Sequence, residues 1–497
     1  MSATATSTTT ILCGLRKVSS TPGNPMVGRR APRYQDSSKC SQGVCSDCYL
    51  TRGPRPLLPG SLEHCVNETG TFHQRHRPAD RGAGAPPGGA EEPPPGGSLV
   101  RHPWWVKTRP EPKYEIRAED YERFDARKTV FGSFEEYVGE VRARQLFEQS
   151  RSRRVAALAA DEPGLSLADR ALAFGAQTVW QSEAQQTLYS WTSPRSPALE
   201  ALNPERRRLD VSPEQAARIV KRAARFYGAL MVGIAELNRS HVYSHDHRGR
   251  PIVFRDTPEP VVTDEELVIP ESCRWVVALA VRQDWTAVMG APNALSSAAV
   301  ALGYSTMPVV AGSLAEFIRA LGYNAIPCGN DTALSVPIAI DAGLGEFGRH
   351  ARLITPRYGS NVRLAKVICD LPMSVDRPID FGVVEFCMVC KKCALHCPSG
   401  AISLEREPSF ETRGPWNRAG VKMWHEDAVK CFEQWHRETT GCSICVRVCP
   451  YNHADTVVHR AVMAAIATTT LFNRLFAAAD DLFGYGRQAP PQAFWAS

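Results

Sequence analysis

Cys387-Met-Val-Cys390-Lys-Lys-Cys393-Ala-Leu-His-Cys397-Pro398, then Cys431 alone, then Cys442-Ser-Ile-Cys445-Val-Arg-Val-Cys449-Pro450 carry eight of the sixteen cysteines in the chain. The first run reads C-x2-C-x2-C-x3-C-P, the bacterial ferredoxin spacing for a [4Fe-4S] cluster. Two residues between cysteines form a tight turn that points successive thiolates at neighbouring irons. The proline after the last cysteine stops the loop and releases that thiolate toward a second cluster. In two-cluster ferredoxins the fourth cysteine of each run serves the other cluster. The expected sets are therefore Cys387, Cys390, Cys393 and Cys449 for cluster 1, and Cys397, Cys431, Cys442 and Cys445 for cluster 2. Zinc is the rival, since paired C-x2-C is also zinc-ribbon spacing, but a ribbon uses four thiolates and has no reason to repeat C-x3-C-P. Disulfides fit less well, because C-x2-C pairs in a long chain without a signal peptide read as metal ligands.

Working outward, 497 residues with 43% hydrophobic and 22% charged content allow two to four ordinary globular domains with a sizeable core. The net charge of +6 comes partly from arginine-rich stretches, Arg142 to Arg154 and Arg206 to Arg208. Phe147 is the one aromatic residue among these charges, so they read as solvated helix faces and no nucleic-acid partner is expected. No run of eighteen apolar residues occurs, so no transmembrane segment is expected, and the N-terminus lacks an apolar core for Sec export. The pair Arg29-Arg30 has no hydrophobic stretch behind it and is not read as a twin-arginine signal. As written, the chain is expected to be cytoplasmic, and membrane-associated or exported if its start is misassigned.

Residues 1–99 have the composition of a disordered, low-complexity tail: between Arg81 and Val100, eleven of twenty residues are Gly or Pro. Within it Cys40-x4-Cys45-x2-Cys48, flanked by Cys13 and Cys65, is read as an incidental cluster, because no strands surround it. Globular character begins at Trp104-Trp105. Ser212 caps a helix from Pro213 to Tyr227 with Gln215 completing a capping box, with Ala216, Ile219, Val220, Ala223 and Phe226 facing inward and Lys221, Arg222 and Arg225 outward. Leu230 to Leu237 and Trp275 to Val281 read as strands. Helical pattern resumes at Ala294 to Leu302 and Val309 to Leu321, with Pro308 expected to kink the chain between them. A short strand then leads into Ile326-Pro-Cys-Gly-Asn330-Asp331, and Arg352 to Thr355 and Val362 to Leu371 read as a strand pair. This alternation indicates a layered α/β or α+β core. The close-set Gly343, Gly345 and Gly348 suggest backbone approaching a bulky ligand, so they are candidate cofactor-binding residues. They follow a helical pattern and are not a dinucleotide fingerprint.

Leu302-Gly-Tyr304-Ser-Thr-Met307, Ser313-Leu-Ala-Glu-Phe-Ile-Arg-Ala-Leu-Gly-Tyr323, Ile326 to Asp331, Ala342-Gly-Leu-Gly-Glu-Phe-Gly-Arg349, Leu353-Ile-Thr-Pro-Arg-Tyr-Gly359, Arg363, Asp370-Leu-Pro372 and Pro378-Ile-Asp-Phe-Gly382 recur in this order beside both cysteine runs. Over about residues 101 to 455 the chain resembles the corrinoid- and iron-sulfur-dependent reductive dehalogenases. The resemblance implies an α+β fold, with a nitroreductase-like corrinoid-binding catalytic domain at 100–370. A ferredoxin-like domain with two [4Fe-4S] clusters would follow at 371–455, and a C-terminal extension at 456–497. It implies an enzyme that replaces halogen by hydrogen on an organohalide, using a cobalamin-type corrinoid bound base-off. The family's proton-donating tyrosine matches Tyr304, its site-lining asparagine Asn330 and its arginine Arg363, with Lys366 as an alternative basic partner. An electron-donor protein or a membrane-anchor partner is compatible with this reading.

The chemistry of these side chains suits the roles. Reductive cleavage consumes two electrons and one proton, and an unperturbed tyrosine, with a pKa of about 10, is a poor acid near neutrality. A neighbouring guanidinium favours the phenolate and makes the phenol a better donor. The D-x-H-x-x-G string that supplies a histidine to cobalt in some cobalamin proteins is missing. His245-Asp246-His247-Arg-Gly249 has the wrong spacing, so no protein axial ligand is expected. Two other readings are an epoxyqueuosine-reductase-like enzyme acting on transfer RNA and a non-catalytic iron-sulfur electron-transfer protein.

Overall fold

Trp275–Arg282 and Val362–Cys369 are the two longest strands of the computed structural model and lie antiparallel, with Arg363 opposite Val281 and Cys369 opposite Trp275. Met231–Glu236 flanks the first and Ala325–Cys328 the second, completing a four-stranded antiparallel sheet. The structure describes residues 102–192 and 205–496. The tail composition and the Cys13, Cys40, Cys45, Cys48 and Cys65 expectations lie outside them.

Successive side chains on a strand point to opposite faces, and here both faces are covered, so these strands are largely apolar, with Arg363 and Lys366 the charged residues within Val362–Cys369. On one face Val277, Leu279, Val281, Ala365 and Val367 pack against the helices Pro213–Phe226 and Ala294–Ala320. On the other, Val276, Ala278 and Ile368 pack with Ile338, Ala339 and Ile340 of the helix Ser335–Asp341. The architecture is α+β.

The two expected helical stretches are one: Ala294–Ala320 is a single helix of 27 residues with Pro308 buried inside it. Proline lacks the N–H that would bond four residues back, so the position relieved of that bond is the carbonyl of Tyr304. This helix is long and apolar enough to cross a membrane by length and composition, yet 67% of its most apolar stretch is buried within the fold.

The Pro213–Phe226 helix is rotated from its expected orientation. Ser212 accepts from Gln215 N as anticipated, but Lys221 is buried and Phe226 is 82% exposed. Burying the lysine is offset by an ion pair with Asp376 at 2.5 Å, whose other oxygen accepts from Ile234 N. Nor do the two later strands pair with each other. Leu353–Ile354 pairs with Glu346–Phe347, while Val362–Cys369 joins the main sheet.

A third core surrounds the first cysteine run. Phe381, Phe386, Cys387, Cys390, Trp424, Cys449 and Tyr451 pack with Trp105 from the beginning of the described chain, and with Met463 and Ile466 of the helix Val457–Thr468.

Candidate functional site

The long helix presents Tyr304 between three groups drawn from distant stretches. Asn330, exposed at the end of Ala325–Cys328, donates from Nδ2 to the Tyr304 hydroxyl at 3.1 Å. Arg363 places its guanidinium carbon 5.1 Å from the centre of the Tyr304 ring. Trp180 stacks on the same ring at 4.8 Å with 20° between planes. Local sequence explains the crowding. A side chain at Gly303 would put its Cβ 2.8 Å from Cγ of Arg363, so glycine is what lets the arginine stem pass the helix. Ser305 accepts from Trp180 N at 3.1 Å and donates to Ala176 O at 2.6 Å, fixing the segment that carries the indole. Trp180 was not identified as a site residue from sequence, because it lies over a hundred positions upstream with no periodicity to mark it.

Arg363 pairs with no carboxylate among the described residues, and its buried Nε lacks a hydrogen-bond partner. Burial pulls its pKa down, while Tyr304 and the Cys445 thiol pull it up. The guanidinium therefore feels both the phenol and a cysteine of the second run. Lys366 lies elsewhere. Three residues along a strand is the opposite face, and its ammonium donates to Gly329 O and to Ser335 Oγ at 3.1 Å.

Cys387, Cys390, Cys393 and Cys449 line one cavity together with Arg349 and Tyr451. The Cys397, Cys442 and Cys445 side chains pack around Cys393, Ile402, Ile444 and Val448, and Cys431 lies within electrostatic reach of Cys445 and Cys442. Burial pushes the Cys387 thiol up to about 12 and the Cys390 thiol up to about 11. Thiols of this kind ionise only with positive charge among them, which is what a metal-cluster donor set requires. Each group of cysteines also has its own arginine, buried at the first and partly buried at the second. Arg349 donates to Cys387 O at 2.6 Å, Ser403 O at 2.8 Å and Glu405 O at 2.6 Å and rests over Trp424. Arg352 lies beside Cys445 and Cys431 and pairs with Glu426 at 3.2 Å. Among the described residues no three His, Cys, Asp or Glu side chains lie close enough to share a single ion.

The expected glycine cradle is filled by the chain itself. A Cβ at Gly343 would meet Arg377 O at 2.4 Å, at Gly345 Ile354 O at 2.1 Å, and at Gly348 the Ile354 side chain at 2.6 Å. Close packing of protein on protein accounts for all three glycines, whereas the orphaned Arg363 Nε and the exposed Asn330 amide remain as polar groups beside Tyr304 that a ligand would meet.

The paired cysteine groups and the α+β core define a two-cluster iron-sulfur protein. Residues 386–452 match the family described as a 4Fe-4S double cluster binding domain. Over 298 residues the chain is 40% identical to the tetrachloroethene reductive dehalogenase of Sulfurospirillum multivorans, covering 57% of this chain and 59% of that protein. A solved reductive dehalogenase structure, described by a mechanism for B12-dependent dehalogenation, superposes with a TM-score of 0.57 at 23% identity, over 77% of this chain and 49% of that one, and so shares the fold. A shorter match, 30% identical over 125 residues, is to the epoxyqueuosine reductase of Lactococcus garvieae and covers 24% of this chain and 32% of that protein. The chain is thus similar to reductive dehalogenases over a little more than half its length, and spans about three fifths of the length of the Sulfurospirillum multivorans protein.

Proposed function

We propose that the protein is a reductive dehalogenase that replaces halogen by hydrogen on an organohalide, with two [4Fe-4S] clusters and a base-off corrinoid. The observation that carries this reading is the Tyr304 constellation, in which Arg363 lies over the phenol ring, Asn330 donates to the phenol oxygen and Trp180 stacks on the ring. In this reading residues 100–370 form a nitroreductase-like catalytic domain, 371–455 a ferredoxin-like domain and 456–497 an extension. Cys387, Cys390, Cys393 and Cys449 hold cluster 1, and Cys397, Cys431, Cys442 and Cys445 hold cluster 2.

The reaction takes a carbon–halogen bond, two electrons and one proton to a carbon–hydrogen bond and a halide ion. A corrinoid, when bound, supplies the low-valent cobalt that cleaves the carbon–halogen bond. Tyr304 gives the proton from its hydroxyl. Arg363 stabilises the phenolate left behind, since a guanidinium near the ring favours the anion. Asn330 holds the phenol oxygen at 3.1 Å and Trp180 covers the ring face, so the donor stays in one position.

The test is anaerobic reconstitution followed by metal, corrinoid and turnover analysis. The expected result is about eight irons and one corrinoid per chain, with halide released from a panel of haloalkenes, haloalkanes and haloarenes under a low-potential reductant. Protein that folds with zinc and takes up no cobalamin would overturn the proposal. Tight, steeply salt-dependent binding of transfer RNA together with epoxyqueuosine reduction would replace it with the reading that the shorter match favours.

A further inference from the structure

Lys366 is 1% exposed, and its ammonium contacts no carboxylate among the described residues. It donates instead to the carbonyl of Gly329 and, at 3.1 Å, to Ser335 Oγ. A lysine ammonium has donors only, so Ser335 receives a hydrogen bond and has its own hydroxyl proton left to give. Two acceptors lie within its reach, Gly329 O and Asn330 Oδ1, each at 3.5 Å. Gly329 O can accept a second hydrogen bond besides that from Lys366, but of the two acceptors only Asn330 Oδ1 belongs to a group that can turn, so it is the one whose direction the Ser335 hydroxyl biases. With that oxygen turned toward Ser335, the Asn330 amide nitrogen is turned toward Tyr304, where it donates to the phenol oxygen at 3.1 Å.

The direction of this chain matters for the reaction. Every bond in it runs from Lys366 through Ser335 and Asn330 toward Tyr304, so the phenol oxygen accepts and its proton is not spent on Asn330. Were the amide reversed, Asn330 Oδ1 would face the phenol and Tyr304 would donate to it, holding back the proton the reaction needs. We propose that Lys366 and Ser335 are positioning residues that set the direction of the Asn330 amide and so keep Tyr304 free to donate. The proposal rests on the dehalogenase reading of Tyr304.

The loop backbone has other supports. Gly329 N donates to Asp331 Oδ1 at 2.6 Å, the Tyr243 hydroxyl donates to Asn330 O at 3.2 Å, and Tyr243 N donates to Thr332 O at 2.8 Å. Removing the Ser335 hydroxyl therefore takes away the bias on the amide and leaves the loop in place. Removing Lys366 risks the fold, because a buried carbonyl loses its donor with it.

The experiment compares reconstituted Ser335→Ala, Ser335→Thr, Tyr304→Phe and the Ser335→Ala/Tyr304→Phe double variant, with cluster spectra and corrinoid content checked in each. Ser335→Ala is expected to lower kcat about tenfold, the scale of one lost hydrogen bond, with KM unchanged. Ser335→Thr should restore most of the loss, and in the Tyr304→Phe background Ser335→Ala should cost nothing further, since groups acting through one proton are non-additive. Wild-type kcat in Ser335→Ala, or losses that multiply in the double variant, would overturn the inference while leaving Tyr304 as the donor. Full turnover by Tyr304→Phe would instead bring down the reading beneath it.

Discussion

Tyr304 is a residue whose neighbours say more about it than its own position does. A tyrosine in an Ala-rich helix is ordinarily core, and nothing in the helical period separates this one from Tyr323, which lies in the turn after the same helix and donates its hydroxyl to Leu209 O. What distinguishes Tyr304 is a partly buried arginine over its ring and an amide on its oxygen. Tyr304→Phe should keep both clusters and the corrinoid but lose about 10²- to 10⁴-fold in turnover, the usual contribution of a general acid. Arg363→Met removes the charge proposed to stabilise the phenolate left behind, and should lower kcat as well. Measured on the same substrate, the double variant should be little worse than Tyr304→Phe alone. Losses that multiply would reassign Arg363 to binding substrate or cofactor.

Elements were legible in the sequence where period and burial agree. The strands around Met231 to Glu236 and Trp275 to Arg282 lie close to their expected bounds because both are continuous apolar runs buried on two faces. Where a local rule meets a tertiary demand, the demand prevails. Pro308 is absorbed into a helix packed on the sheet, and Lys221 turns inward because Asp376 is there to meet it. The relation of Arg363 to Lys366 is decided by the two-residue period of the strand, yet which face holds the tyrosine depends on the packing of a helix sixty residues earlier.

Glu346 offers a test at this scale. It is 2% exposed, accepts from Phe381 N at 2.8 Å, and reaches Val383 N at the start of the helix Val383–Val389 that carries Cys387. Burial pushes its carboxyl up to about 7, with Lys113 pulling the other way. A carboxyl whose folded pKa lies above its unfolded value binds more protons when folded. Its stabilising contribution is complete below about pH 4.5 and is lost as pH rises through about 7, by roughly 3 kcal/mol in all. Between pH 6 and 8, the Tm of the wild-type holoprotein should therefore fall more than that of Glu346→Gln, which keeps an oxygen for Phe381 N and carries no charge. Parallel Tm curves for the two proteins would show that the carboxyl is already ionised across this range.

Across the whole molecule, cysteine spacing was the most readable feature: the double-cluster match begins one residue before Cys387 and ends three after Cys449. Spacing works here because short loops between ligands dictate geometry locally. It could not reveal Arg349 or the Arg352–Glu426 pair, which approach the cysteines through folding of distant segments. Cys397→Ser provides the test of crossed ligation. It should perturb the cluster held by Cys431, Cys442 and Cys445 and spare the one held by Cys387, Cys390 and Cys393, as read by electron paramagnetic resonance of the reduced protein. The reverse pattern would show each run serving its own cluster.

Cys449 stands in one cavity with the first cysteine run, although it is sixty-two positions from Cys387 and belongs to the second run in sequence. Under crossed ligation neither cluster can collect four ligands from one side of the intervening loop, so the first to assemble draws the two runs together and prepares the place of the other. Loading then becomes all-or-none, with individual chains carrying either no iron or about eight atoms, and half-filled chains scarce. The same interdependence works in reverse under oxygen: the loss of one cluster frees a ligand of its neighbour's run, so damage arriving at either spreads to both.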